Sequence, residues 1–172
     1  NGVPADGDLW VSYSVNKEDM WISRIPVPVE INASAHADDD FSKNKSIAEL
    51  TDWNIYSPVW APVSLEDQWL KLQDKDPFDY AKVERKIPAS KELKVSFDLK
   101  AGQNNKGTLH IEFLDENGIA CSRIELTDDG IFRLKGGSRF ANMMKYEAGK
   151  IYHVEAVLST VDRNIQVYVD GK

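Results

Sequence analysis

The sequence predicts an all-β protein: an antiparallel β-sandwich over residues 51–172, preceded by a β-hairpin. Three observations carry that expectation. Turn signals recur about every eight to twelve residues from Trp53 onward. No stretch holds a helical period for longer than one turn, at residues 46–50. The last stretch, residues 151–172, alternates cleanly, with Tyr152, Val154, Ala156 and Leu158 on one face of a first strand and Ile165, Val167 and Val169 on one face of a second. A hairpin that is apolar on one face needs a second sheet above it.

The earlier elements follow in order. Leu9, Val11, Tyr13 and Val15 alternate with Trp10, Ser12 and Ser14, and after a polar turn at residues 16–19, Trp21, Ser23 and Ile25 alternate with Met20 and Ile22. Pro26 and Pro28 are expected to end this hairpin, because proline cannot donate to a ladder. Two strands alone are not stable, so the hairpin is expected to pack on something outside itself. Residues 30–50 are polar and aperiodic and read as a linker. Residues 53–65, with Pro58 and Pro62 among aromatics, read as one extended edge segment. Leu70 and Leu72 alternate with Trp69 and Lys71; Ala81, Val83 and Ile87 then oppose Lys82, Glu84 and Lys86. Leu93, Val95, Phe97 and Leu99 give the cleanest alternation, and Leu109, Ile111 and Phe113 follow a loop at 102–107. Asp115-Glu116-Asn117-Gly118 turns into Ala120, Ser122, Ile124 and Leu126, and Asp128-Asp129-Gly130 turns into a brief strand with Phe132 and Leu134 inward. Residues 136–149 read as a longer connection. The expected core is Leu93, Val95, Phe97, Leu109, Ile111, Phe113, Val154, Ala156, Ile165, Val167 and Val169.

Composition narrows the classes. A hydrophobic fraction of 42% can fill a core, and no apolar run approaches the ~18 residues of a membrane span. The net charge of −7 and the lack of a Lys/Arg cluster argue against a nucleic-acid surface. Cys121 is the single cysteine, so no internal disulfide and no thiolate metal site can form. The opening NGVPADGDLW carries no signal-peptide pattern and does not look like a natural start, so the chain is expected to be an excised or mature internal piece.

Two stretches resemble known families. GDLWVSYSVNKEDMWISRIPVPV, residues 7–29, resembles the end of the propeller domain in sialidase-like (BNR-type) bacterial carbohydrate-active proteins. The remainder, from DDDFS and WNIYSPVWAPV to IYHVEAVLSTVDRNIQVYVDGK, is similar to concanavalin-like (laminin-G-like) jelly rolls, VYVDGK being the most specific piece. The resemblance implies a terminal propeller hairpin at 1–30, a linker and first edge at 31–50 and a jelly roll at 51–172, truncated because such modules continue past VDGK. The Asp-box of propeller repeats is absent, so no catalytic residue carries over to this chain.

Candidate site residues come from three sets. Trp53, Tyr56, Trp60 and Trp69 are rings on which sugars could stack; the same rings suit a plug at the joint between hairpin and sandwich, the use that interdomain contacts commonly make of aromatics. Asp38, Asp39 and Asp40 offer the oxygen ligands that a structural calcium of a jelly roll needs, or else form an acidic linker facing water. No other cofactor is expected. Glu112, Asp115 and Glu116 are the nearest approach to the paired carboxylates of a glycosidase, but their spacing is wrong and they run into a turn. His36, His110 and His153 are scattered, the last two outward on their strands.

The functional expectation is an accessory β-sandwich, structural or glycan-binding, of a secreted polysaccharide-degrading, sialidase-like glycoside hydrolase. Its partners would be a polysaccharide or glycan and the rest of its parent chain, in a secreted, periplasmic or cell-surface setting. The alternatives are a free-standing lectin-like carbohydrate-binding module and a catalytic jelly-roll hydrolase or lyase, for which no catalytic set is legible.

Overall fold

The computed structural model describes residues 7–15, 19–27 and 37–172, and every regular element among them longer than a single turn is a strand. Residues 16–18 of the expected turn, Pro28, and residues 30–36 of the expected linker, with His36, lie outside the described residues. The contacts group the chain into two units, Asn1–Pro88 and Ala89–Lys172.

In the first unit, β1 (Gly7–Val15) and β2 (Asp19–Val27) pair antiparallel, with Leu9 opposite Ile25, Val11 opposite Ser23 and Tyr13 opposite Trp21. The expected alternation therefore holds, but Pro26 does not end the hairpin: it stays in β2, opposite Asp8. In a two-stranded sheet both strands are edges, where a missing N–H is tolerated. A 3-10 turn at Ile47–Glu49 leads into Leu50, which is buried, as are Ala61 and Val63. The single edge segment expected over residues 53–65 is two strands, β3 (Trp53–Tyr56) and β4 (Val63–Glu66). Pro58 sets the turn between them: its carbonyl accepts the Ala61 amide at 3.1 Å, and the Ser57 hydroxyl accepts the Val63 amide at 2.8 Å. β4 pairs with β5 (Trp69–Leu72) and β3 with β6 (Lys82–Arg85).

The second unit is a sandwich. One sheet orders β13 (Asn164–Val169), β12 (Ile151–Ser159) and β7 (Glu92–Lys100); the other orders β11 (Arg139–Lys145), β10 (Ile131–Gly136), β9 (Ala120–Leu126) and β8 (Leu109–Leu114). Val154 sits between Phe97 and Val169, and Ala156 between Val95 and Val167, so the apolar face read from the sequence is continuous across three strands. Against it pack Ile124, Leu126 and Phe132 from the facing sheet. Phe132 meets Tyr152 and Tyr146 edge-on at centroid distances of 5.4 and 5.7 Å. Both phenols are satisfied: Tyr146 donates to the Thr127 carbonyl at 2.8 Å, and Tyr152 accepts the Glu147 amide at 2.9 Å.

Two expectations need correction here. Residues 136–149 are not a plain connection, because β11 lies within them. Its alternation is broken by Met143, an extra residue between Asn142, opposite Arg133, and Met144, opposite Phe132. Of the expected core only Val154, Ala156 and Val169 are fully buried; Leu93, Val95, Phe97, Leu109, Ile111, Phe113, Ile165 and Val167 are half-buried. The physical reason is position, since β7, β8 and β13 are the edge strands of their sheets.

The turns behave as read. Gly130 takes φ +78°, and a Cβ there would also sit 3.2 Å from the Asn104 carbonyl oxygen, so only glycine closes Asp128-Asp129-Gly130 without strain. At the β8–β9 turn, Asp115 Oδ1 accepts the amides of Ile119 and Asn117 at 2.8 and 2.9 Å, and these bonds hold its carboxyl below the ordinary value of 3.8.

Two outcomes are expected. Phe132→Ala lowers stability by about 3–5 kcal/mol, read as a lower urea midpoint at unchanged m-value. Asp115 supports its turn fully above the ordinary carboxylate value and loses that role as pH falls through its lowered one; NMR titration of its carboxyl carbon gives the midpoint, and Asp115→Asn abolishes the pH dependence of the Ile119 amide shift.

Candidate functional site

The four aromatics singled out from the sequence do not form one surface. Trp53 and Tyr56 both lie on β3 but stand three positions apart, an odd offset, so they project to opposite faces. Trp53 shares its face with Arg85, and Tyr56 shares the other with its cross-strand neighbour Lys82. Trp69 is half-buried on β5 opposite Glu66. Trp60 sits in the turn before β4, 67% exposed, its carbonyl accepting the Lys75 amide at 2.9 Å.

Trp53 is a structural anchor. Phe41 packs on it at 6.0 Å, the Arg85 guanidinium lies 5.9 Å from its ring centroid, and its indole N–H donates to Asp39 Oδ2 at 3.3 Å. Asp39 of the acidic run joins the same cluster. Arg85 Nη1 lies 3.0 Å from Asp52 Oδ2, and its Nε is 4.0 Å from Asp39. Asp40 turns instead to Ser42, whose amide and hydroxyl donate to it at 2.9 and 2.8 Å and hold its carboxyl low. Asp38 is exposed. Asp38, Asp39 and Asp40 thus face water, a guanidinium and a seryl group in turn, and among the described residues no three His, Cys, Asp or Glu side chains gather as a ligand set.

Tyr56 builds a different arrangement. Its ring lies 5.5 Å from that of Tyr80 at an interplanar angle of 50°, and the rings are 47% and 59% exposed. The Tyr56 hydroxyl donates to Asp79 Oδ2 at 3.1 Å; that bond to an anion pushes the phenol up, so it remains a neutral donor. Asn54 shares the face, and Lys82 and Glu84 pair beside it at 2.9 Å. Two tilted, accessible rings flanked by a carboxylate and an amide can take the apolar face of a sugar while their polar neighbours bind its hydroxyls. Tyr80 and Asp79 were missed from the sequence because they lie in a loop with no period. The adjacent Asp-Tyr, between Phe78 and the β6 alternation, was the available signal.

The carboxylates read as a distant match to a glycosidase pair are engaged elsewhere. Glu112 Oε1 accepts from Arg123 Nη2 and Nε at 2.6 and 2.8 Å, and Asp115 is committed to its turn. His153 is exposed, as expected, with Nδ1 2.8 Å from Asp98; His110 is exposed with Nε2 4.0 Å from Glu125. Cys121 is a free, exposed cysteine whose thiol donates to the Phe113 carbonyl.

The family described as "Sialidase-like, CBM domain", CBM standing for carbohydrate-binding module, matches residues 53–172, from the first residue of β3 through β13. Among solved structures the chain is similar to one named "Sialidase", at 90% identity and a TM-score of 0.86 over the whole of this chain. The chain spans 16% of the length of that protein. No curated protein matches it.

The division of labour among the rings is measurable. Trp53→Ala lowers the thermal midpoint by several degrees, corresponding to about 2 kcal/mol of lost packing. Trp60→Ala and Tyr80→Ala leave it within about 0.5 kcal/mol of the parent, as exposed substitutions do.

Proposed function

Because the chain belongs to the sialidase-like carbohydrate-binding-module family, we propose that it holds glycan on the Tyr56–Tyr80 platform and so keeps a parent glycoside hydrolase at its substrate. The chain is an accessory carbohydrate-binding module of a sialidase-like protein. The observation that carries the site assignment is the pair of exposed rings locked at 50° by the Tyr56–Asp79 hydrogen bond. That bond fixes a ring before the ligand arrives, so less side-chain freedom is lost on binding.

The hairpin β1–β2 supports the same picture of a parent chain. Leu9, Tyr13 and Trp21 are exposed on one of its faces, and Trp10, Met20 and Ile22 on the other. A two-stranded sheet with apolar side chains on both faces suits the closing hairpin of a propeller blade at 1–30, with a linker at 31–50 and the module at 51–172. The pairing of a three-stranded with a four-stranded antiparallel sheet supports a concanavalin-like jelly roll. Such a module works where polysaccharides are, in a secreted, periplasmic or cell-surface protein.

Calorimetry against a neutral oligosaccharide selected on a glycan array tests the platform. Tyr80→Ala is expected to weaken binding about 30-fold, the ~2 kcal/mol of a central aromatic contact, and Tyr56→Ala similarly. Wild-type affinity in both variants, with folding intact, would overturn the assignment. Loss on Trp60→Ala as well would extend the platform to that ring.

A further inference from the structure

We infer that the outer face of the four-stranded sheet carries a second sugar site, centred on Phe140, that takes a carboxylate-bearing sugar; this rests on the reading of the chain as a glycan-binding module. Register builds the face. Phe132 and Leu134 of β10 point toward the core side, so Arg133 and Lys135 point away from it, with Asn142 and Phe140 of β11 beside them and Glu125 and Arg123 of β9 on their other flank. Phe140 is 55% exposed. Lys135 Nζ lies 5.4 Å and Arg133 Cζ 5.8 Å from its ring centroid.

The charges around the ring are unevenly matched. The acids of this face, Glu112 and Glu125, are both held by Arg123, at 2.6 and 3.2 Å. Burial pulls the Arg123 pKa down, but the hydrogen bonds to Glu112 and Glu125 outweigh it and the guanidinium stays firmly charged. Arg133 reaches Glu125 only at 3.9 Å, and its Nε donates to Asn142 Oδ1 at 3.1 Å. Among the described residues no carboxylate lies within ion-pair distance of Lys135. A chain of net charge −7 thus presents, beside one accessible aromatic ring, two cations with little local neutralisation.

That combination selects among ligands. A neutral sugar is served by a ring with hydroxyl acceptors, as at Tyr56 and Asp79, and gains nothing from two cations. A nucleic acid needs an extended basic stripe, which this face lacks because Glu112 and Glu125 interrupt it. An acidic sugar offers an apolar ring face for Phe140, a carboxylate for Lys135 and the free edge of Arg133, and hydroxyls for the Asn142 amide nitrogen, whose oxygen is already engaged by Arg133.

The test is an NMR titration of the isotopically labelled full chain with N-acetylneuraminic acid, galacturonic acid and, as the neutral control, lactose. One or both acids are expected to shift the Phe140 and Asn142 amides, while lactose does not. Binding should weaken severalfold as salt rises from about 0.02 to about 0.5 M. Phe140→Ala and Lys135→Ala should each weaken it about tenfold, and Tyr80→Ala should not change it. The wild-type shift map and its salt dependence do not rely on either variant folding. The inference is overturned if neither acid moves Phe140 and Asn142, if lactose binds there equally well, or if Lys135→Ala retains full affinity in a folded chain. Should glycans bind at Tyr80 while acids leave Phe140 unmoved, only the second site falls; should no glycan bind in any arm, the reading of the module falls with it.

Discussion

The edge-to-face packing of Phe132 against Tyr146 and Tyr152 is the contact on which the sandwich depends. Phe132 comes from one sheet, Tyr152 from the other, and Tyr146 from the connection between them. Tyr146 then ties the cluster to the β9–β10 turn twice, its amide donating to the Gly130 carbonyl and its hydroxyl to the Thr127 carbonyl. One aromatic cluster thereby fixes the spacing of the sheets, the path of the connection and the register of β10. Parity does the rest: with Phe132 held inward, Arg133 and Lys135 must point outward.

A second constraint acts on the outer face. Glu125 is nearly buried although it points away from the core, because Arg123, Arg133 and His110 close over it. A buried carboxylate is costly unless paired, and here Arg123 meets that cost while bridging to Glu112. The consequence is asymmetric. The acids of β8 and β9 are consumed near Arg123, and positive charge is left toward β11, where the exposed ring lies.

Much of this was legible as alternation. Leu93 to Leu99 and Tyr152 to Leu158 align residue for residue across β7 and β12, as their shared period implies. What escaped reading had local causes. Met143 is a bulge residue, and one extra residue erases a period of two, which hid β11. Pro58 made residues 53–65 look like one edge strand, whereas proline at a turn separates two. Glu125 stood at an outward position, and nothing in a single sequence reveals that its neighbours across two strands would bury it. Tyr146 and Tyr80 lie in loops, where burial and exposure are set by tertiary contacts. The odd spacing of Trp53 and Tyr56, by contrast, was in plain view and already implied that the two rings could not serve one ligand.

That parity separates the surroundings of the two rings of β3. Trp53 spends its ring on Phe41 and Arg85 and its N–H on Asp39, so it has little left to offer a ligand. Tyr56, on the opposite face, gives its hydroxyl to Asp79 and part of its ring to Tyr80, and stays about half exposed. Phe140 likewise keeps its ring exposed because it stands opposite Lys135, an outward position of β10. Open rings on strand faces make shallow contacts, and a shallow contact alone binds a sugar weakly. Tethering changes that arithmetic for any such contact, since a module joined by a short linker to a second bound group meets its ligand at an effective concentration near millimolar, where weak sites fill.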